Sequence, residues 1–216
     1  MDYAAARRNM VESQLRPNKV TNPALLDALA SVPRELFVPA PLRSVAYVDE
    51  EIPLGRGRFL MEPMILGRLL ELAAVQPSDV ALVVGAGLGY SAAVLSRVAS
   101  RVVALEDDRE STEQAARTLR DLGAANVALV AGPLAEGAPR LAPFDVILFD
   151  GAVERTPPAI AEQLAEGGRL VAVIRAGGIG RATLTIHRAG LMASRVAFDA
   201  AVPRLPGLEA AAAFVF

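Results

Sequence analysis

The chain has 216 residues, of which 53% are hydrophobic and 21% charged, so it can bury the core of one domain and is too apolar to be disordered. Its 22 basic and 24 acidic residues nearly balance, which gives no electrostatic basis for binding a nucleic-acid backbone. The sequence contains no cysteine, which excludes disulfides and thiolate chemistry, and with a single histidine we expect no metal site.

Residues 1–77 are predicted to form an N-terminal helical extension that carries a loop of the functional site. Asn22 and Pro23 are typical N-cap and first-turn residues of one helix, and Pro63 begins another after the loop GRGRFLME. The N-terminus is amphipathic and carries acids, unlike a signal peptide, and no apolar run approaches the ~18 residues of a membrane span. We therefore expect a cytoplasmic chain that does not bind membranes.

Residues 78–216 are predicted to form the core, as one compact α/β unit. Apolar strands alternate with helices from Val80 to Arg175, which is typical of a parallel sheet covered on both faces. The segment PPAIAEQLAEGG is predicted as the last of these helices, stopped by Gly167 and Gly168. RATLTIHRA, SRVAFDA and AAAFVF then predict two or three antiparallel strands. The fold class is therefore a doubly wound, mostly parallel Rossmann-like sheet with antiparallel C-terminal strands.

The turn after the first strand of the core is the predicted ligand site, because ligands of such sheets lie beyond the carboxyl ends of the strands. Its residues are Gly85, Ala86, Gly87, Leu88, Gly89 and Tyr90. Glycines allow a ligand to approach the backbone closely, but a dinucleotide fingerprint requires a small residue where Tyr90 stands. The loop therefore favours S-adenosylmethionine over a nicotinamide cofactor, and a nucleotide-dependent oxidoreductase is a minor alternative.

Acidic residues follow the second and fourth strands of the core. Glu106 lies 21 residues after Gly85, where a carboxylate can accept the hydroxyls of a ribose, and Asp107 beside it is a second candidate contact. The alternative for both, and for Asp108, is that they cap the next helix near its positive end. Asp150 is either a pocket residue or the cap of a turn.

Residues 28–72 resemble the corresponding part of protein-L-isoaspartate O-methyltransferases. In that family a VPRExFVP block, a Tyr-Asp pair and IGxGQTISQP precede a helix and a glycine loop; here VPRELFVP begins at Val32, and Gly55 and Pro63 keep the later spacing. The resemblance continues through GAGLGY, VVALED and LAEGGRLV and covers roughly residues 8–175. It implies a methyltransferase that uses S-adenosylmethionine to esterify isoaspartyl carboxylates of damaged proteins.

Departures from the family pattern concentrate on the implied site. Arg58, Phe59 and Met61 stand where the family has Gln, Thr and Ser, so two hydroxyls are missing. Met61 replaces the serine that the resemblance implies is important for catalysis. Val83 replaces an acid that helps to hold the methionine amino group, and Pro133 replaces the aspartate that meets the adenine.

The resemblance still implies a role for each residue at these positions. Pro133 and Leu134 are expected at the adenine, and Arg56, Arg58 and Phe59 at the acceptor. Arg58 is the candidate catalytic replacement, because a guanidinium can grip the acceptor carboxylate in a bidentate pair. The alternative is that both arginines are exposed loop residues. The favoured function is a methyltransferase with a divergent substrate site, and the alternative is a non-catalytic relative that acts as a binding or regulatory module.

Overall fold

The fold is a seven-stranded sheet flanked by helices, with a small β-hairpin beside it. The computed structural model describes residues 1–208, so the strand predicted at AAAFVF lies outside the described residues. The helices are α1 (Tyr3–Met10), α2 (Pro23–Ser31), α3 (Pro63–Ala73), α4 (Tyr90–Leu95), α5 (Arg109–Asp121) and α6 (Pro158–Ala161). The strands are β1 (Ile52–Gly55), β2 (Arg58–Leu60), β3 (Val80–Val84), β4 (Arg101–Glu106), β5 (Val127–Ala131), β6 (Phe144–Val153), β7 (Leu164–Ile174), β8 (Arg181–Arg188) and β9 (Leu191–Asp199).

The strand order in the large sheet is β5-β4-β3-β6-β7-β8-β9. Strands β3 to β7 pair in parallel, and β8 and β9 continue the sheet in antiparallel pairs. The doubly wound, mostly parallel fold predicted from the sequence is therefore confirmed. The order changes direction between β3 and β6, so the carboxyl ends of these two strands border the crevice where such sheets bind ligands.

Alternate residues of β3 enter two separate hydrophobic cores. Ala81 and Val83 belong to the larger core on one face of the sheet, and Leu82 belongs to the smaller core on the other face. Each fully buried valine or leucine stabilises the fold by about 1.5–3 kcal/mol, which explains why these strands are apolar on both faces. The larger core also contains Leu29 of α2 and Leu66 of α3. The division at residue 77 stays a prediction.

The helices α2 and α3 begin where the sequence predicts. The Asn22 side chain accepts a hydrogen bond from Leu25 N at 3.2 Å, and Pro23 is the first residue of α2. Pro63 is likewise the first residue of α3. Across residues 1–208, no helix combines the length and apolarity needed to cross a bilayer.

The helix predicted over PPAIAEQLAEGG is wrong in its length. Helix α6 ends at Ala161, and β7 begins at Leu164, which pairs with Phe144 of β6. Gly167 has a φ of 78°, a left-handed conformation that interrupts any helix. Pairing with β6 thus overrides the helical periodicity of the segment, because tertiary context outweighs local propensity.

Candidate functional site

The glycine loop forms a sharp turn at the carboxyl end of β3. Gly85, Gly87 and Gly89 have φ values of 78°, 54° and 95°, in the left-handed region that costs glycine no Cβ clash. Gly85 N and Ala86 N both donate to Leu105 O, at 2.9 and 3.0 Å, which ties the loop to β4. The loop therefore lies at the crevice of the sheet, and its contact with a ligand stays a prediction.

Glu106 is a buried acidic residue that supports this loop from the end of β4. Its side chain is fully buried and accepts hydrogen bonds from Gly87 N at 2.7 Å, Asp107 N at 3.0 Å and Asp108 N at 3.1 Å. Burial, reinforced by Asp107, raises the pKa of Glu106, while Arg58 and the Asp108 amide oppose that shift. The cap of α5 is Asp108, which accepts from its helix, so Glu106 is not the capping acid.

Arg58 lies directly on Glu106. Its Nη2 is 3.0 Å from Glu106 Oε1 and 2.5 Å from Asp107 Oδ1, and its Nε is 3.2 Å from the same Glu106 oxygen. The Arg58 side chain is only 6% exposed, so the interpretation of Arg58 as an exposed loop arginine is wrong. Its grip on an acceptor carboxylate stays a prediction, and it requires Arg58 to leave Glu106.

Arg56, in the same hairpin, lies on its outer side, whereas Phe59 is partly exposed and also borders a small cavity with Met61 and Asp150. Arg56 is exposed and pairs with Asp108, and its Nη2 is 2.6 Å from Glu110 Oε2. Phe59 is 38% exposed. The structure therefore brings Arg58 into the site and turns Arg56 toward the first turn of α5.

Arg34 positions the hairpin from within the core. It comes from the VPRELFVP block, is fully buried, and donates from Nε to Ala46 O and from Nη2 to Met61 O, both at 2.6 Å. Its guanidinium carbon lies 4.9 Å from the centre of the Tyr90 ring. The sequence interpretation missed this role, although one arginine between Val32 and other apolar residues was a signal that could have revealed it.

Asp150 lies at the carboxyl end of β6 and lines the site. Its Oδ2 accepts from Ser91 Oγ at 2.5 Å, while Oδ1 has no hydrogen-bond partner among residues 1–208. Burial raises the pKa of Asp150 to about 7, and the Ser91 hydroxyl opposes this shift. The side chain borders a cavity of about 10 Å³ together with Phe59, Met61 and Leu205. Asp150 is therefore a pocket residue.

Residues 202–208, here called the strap, cross this edge of the sheet after β9. Leu205 N donates to Ala152 O, and Ala152 N donates to Pro203 O, both at 2.8 Å. Arg204 Nη1 lies 2.8 Å from Glu154 Oε1. The strap was not predicted from the sequence, because it has neither helical nor strand periodicity.

Leu205 packs directly on the glycine loop. A Cβ added at Gly85 or at Gly151 would come within 2.6 Å of its side chain, so both positions require glycine for this packing. A Cβ at Gly57 of the hairpin would meet the Pro206 ring at 3.0 Å. The strap therefore spans the crevice from the end of β6 to the hairpin.

The residues implied at the adenine supply no polar side chain. Pro133 is exposed and precedes a short 3₁₀ turn, while Leu134 is buried in the smaller core. Ala86 and Leu88 of the glycine loop are also buried, as is Val83 in β3. An adenosine ligand would thus depend on Glu106 and on backbone groups.

The crevice has the cradle for an adenosine cofactor, but the chain covers it with its own side chains. The left-handed glycines permit close backbone approach, and Glu106 is a fixed acceptor for hydroxyls. Arg58 forms an ion pair with that carboxylate, and the Leu205 side chain packs against Gly85. These residues therefore fit S-adenosylmethionine only when Arg58 and Leu205 have moved away.

Comparison with known proteins identifies the family of this chain. A sequence profile described as protein-L-isoaspartate(D-aspartate) O-methyltransferase matches residues 6–194. The chain belongs to the protein-L-isoaspartate O-methyltransferase family. The resemblance seen in the sequence is thus confirmed, and the oxidoreductase alternative is wrong.

Curated relatives carry the same name. The chain is 41% identical over 169 residues to the protein-L-isoaspartate O-methyltransferase of Koribacter versatilis. This match covers 78% of this chain and 76% of the relative. The chain is also 41% identical over 186 residues to the enzyme of the same name from Methylorubrum populi, covering 86% and 87%.

Solved structures share the fold. A protein-L-isoaspartate O-methyltransferase superposes with a TM-score of 0.82 and 25% identity, covering 94% of this chain and 67% of that one. A protein from Plasmodium falciparum, described as a putative member of the family in complex with S-adenosyl-L-homocysteine, superposes with a TM-score of 0.81. Its identity of 16%, over 93% of this chain and 98% of that one, shows the fold alone.

Proposed function

We propose that this chain is an S-adenosylmethionine-dependent O-methyltransferase that esterifies the isoaspartyl carboxylate of a protein or peptide acceptor. The observation that carries the proposal is the family match over residues 6–194, with the glycine loop and Glu106 joined at the crevice by a 2.7 Å hydrogen bond. Repair of damaged cytoplasmic proteins is the role that this activity would serve.

The residues that would hold the cofactor are Gly85 to Gly89 and Glu106, flanked by Asp107, Pro133 and Leu134. When bound, S-adenosylmethionine supplies a methyl group on a sulfonium. An acceptor carboxylate is already ionised at neutral pH and needs no general base, so the protein acts by aligning it and excluding water.

The acceptor side of the site is apolar apart from two ionisable groups. Phe59 and Met61 provide no hydroxyl, and Asp150 carries an oxygen without a partner in the described part of the chain. Arg58 is the cation proposed to meet the acceptor carboxylate after it has left Glu106, because a guanidinium pairs well with carboxylates.

A non-catalytic binding module is the second candidate function. The observation that favours it is the occupied crevice, in which Arg58 holds Glu106 and Leu205 covers Gly85. Val83 and Pro133 also stand at two positions where the family has acids that contact its cofactor. Such a chain would keep the fold and bind a partner without turnover.

Transfer of a labelled methyl group from S-adenosylmethionine to an isoaspartyl peptide separates these candidates. The same peptide with an ordinary aspartate is the matched control. We expect slow transfer to the isoaspartyl peptide alone, and Phe59→Thr with Met61→Ser should raise kcat/KM roughly tenfold by restoring two hydroxyls near the carboxylate. No transfer by either protein, while S-adenosylhomocysteine still binds, would contradict the enzyme and favour the module.

A further inference from the structure

We infer that Arg58 and the strap form a latch that closes the cofactor site of the free chain, and that S-adenosylmethionine binds by displacing both. The inference rests on the proposed function, because it assigns the regulation of the same site. Two contacts carry it: the ion pair of Arg58 with Glu106, and the packing of Leu205 on the glycine loop.

The first contact places a buried positive charge where a ribose would bind. Arg58 engages Glu106 through both Nε and Nη2 and reaches Asp107 as well. A buried carboxylate needs a partner, and here its partners are the guanidinium and backbone amides. Ribose hydroxyls can take over the Glu106 oxygens only if Arg58 withdraws, so ligand and Arg58 compete for one acceptor.

The second contact fills the space that the glycines leave. Leu205 lies so close to Gly85 and Gly151 that no Cβ fits at either position. The cavity left beside it is about 10 Å³, room for one water molecule at most. A cofactor that approaches the Gly85 backbone must therefore expel the Leu205 side chain.

The strap is held by backbone hydrogen bonds, by polar contacts of Arg204 and by the burial of Leu205 and Leu208 in the smaller core. Ala152 of β6 makes two backbone hydrogen bonds with the strap: its N donates to Pro203 O, and its O accepts from Leu205 N. These bonds form a single parallel bridge between Ala152 and Arg204 and do not extend into a further strand. The Arg204 side chain in the ion pair with Glu154 is 42% exposed, so this pair contributes little. Displacing the strap therefore costs mainly the burial of Leu205, which the contacts of the ligand with the glycine loop and Glu106 must offset.

The two contacts are linked, so that they open together. The Pro206 ring lies over Gly57, one residue before Arg58, and a Cβ at Gly207 would lie 3.6 Å from the Asp107 carboxylate. Movement of the strap therefore removes packing from the hairpin that carries Arg58. The same displacement would free Arg58 to meet the acceptor.

Calorimetric titration with S-adenosylhomocysteine tests the latch. Arg58→Gln introduces the residue that the family has at this position, and Leu205→Ala removes the second contact. If the open form is a minor state of the free chain, each variant should lower the apparent Kd about tenfold or more, because affinity scales with the fraction of competent molecules. Equal or weaker binding by both variants would overturn the latch.

Two matched variants control for general loosening. Arg109→Gln changes an exposed arginine that pairs with Glu113 of the same helix instead of Glu106. Leu164→Ala truncates a buried leucine of the smaller core that pairs with Phe144 at the beginning of β6 and lies outside the strap. Both should leave the Kd within about twofold of wild type, since neither side chain covers the glycine loop. A tenfold gain in the controls would equally contradict the latch.

Hydrogen exchange on the unaltered chain gives a readout that needs no variant. Saturating S-adenosylhomocysteine should speed exchange at the Leu205 and Ala152 amides, whose hydrogen bonds hold the strap. Slower exchange at both amides would overturn the latch. Tight binding and methyl transfer by wild type, with the same Kd in both latch variants, would contradict the latch alone. No binding by wild type or variants at millimolar ligand would contradict both the latch and the proposed function.

Discussion

At the residue scale, Asp150 couples the site to the pH dependence of stability. Burial raises the pKa of Asp150 from 3.8 in model compounds to about 7 in the fold. The folded chain therefore retains a proton that the unfolded chain releases, and this proton contributes stability fully below about pH 4. The contribution is lost as the pH rises toward 7, because the ionised carboxylate is then buried with one oxygen unpaired.

Asp150→Asn should remove this pH dependence, because asparagine can still accept from the Ser91 hydroxyl but does not ionise. We expect the free energy of unfolding of wild type to fall by roughly 2 kcal/mol more than that of the variant between pH 5 and pH 8. Denaturant titrations at the two pH values measure it. Glu113→Gln on the exposed face of α5 is the control. Parallel losses in wild type and Asp150→Asn would show that Asp150 is not the titrating group.

At the element scale, α3 stabilises the beginning of α2. Glu71 of α3 accepts hydrogen bonds from Thr21 N at 3.2 Å, Thr21 Oγ1 at 2.8 Å and Asn22 N at 3.1 Å. Asn22 in turn caps α2, so one carboxylate fixes the residue that starts the helix. This contact holds two elements of the N-terminal region in register ahead of the hairpin.

Glu71→Ala should lower the free energy of unfolding by about 1–2 kcal/mol, because three donors lose their acceptor. Thermal or denaturant unfolding measures it. Glu113→Ala provides the matched comparison: it breaks only the exposed Arg109–Glu113 pair within α5 and should cost at most about 0.5 kcal/mol. Equal effects of the two variants would mean that Glu71 is no more than a surface acid.

At the scale of the whole molecule, the sequence predicted what periodicity encodes. Alternation of apolar strands and helices correctly predicted β3 to β6, the second half of β7 and the glycine loop, and Asn22 and Pro63 marked two helix starts. Helix α6 was predicted too long, because pairing of Leu164 with β6 overrides a helical pattern. Local sequence carries no record of such a long-range contact.

The site was predicted only where a motif is local. Gly85 follows β3 and Glu106 ends β4, the next strand along the chain, so their positions can be read from the strand pattern. Leu205 reaches the glycine loop from 120 positions beyond Gly85. Arg58 was predicted as the candidate cation of the loop before α3. Its partner Glu106 could not be predicted, because that contact depends on how the hairpin packs on β4. Closure of the crevice is therefore a property of the tertiary structure that no single segment encodes.

A crystal structure grown with saturating S-adenosylhomocysteine tests the central claim most directly, that a family methyltransferase site lies beneath the chain's own latch. We predict the ligand along Gly85 to Gly89 with its ribose on Glu106, the Arg58 guanidinium withdrawn from that carboxylate, and Leu205 displaced from Gly85. Ligand bound elsewhere, with the Arg58–Glu106 pair and Leu205 still in place, would contradict the account.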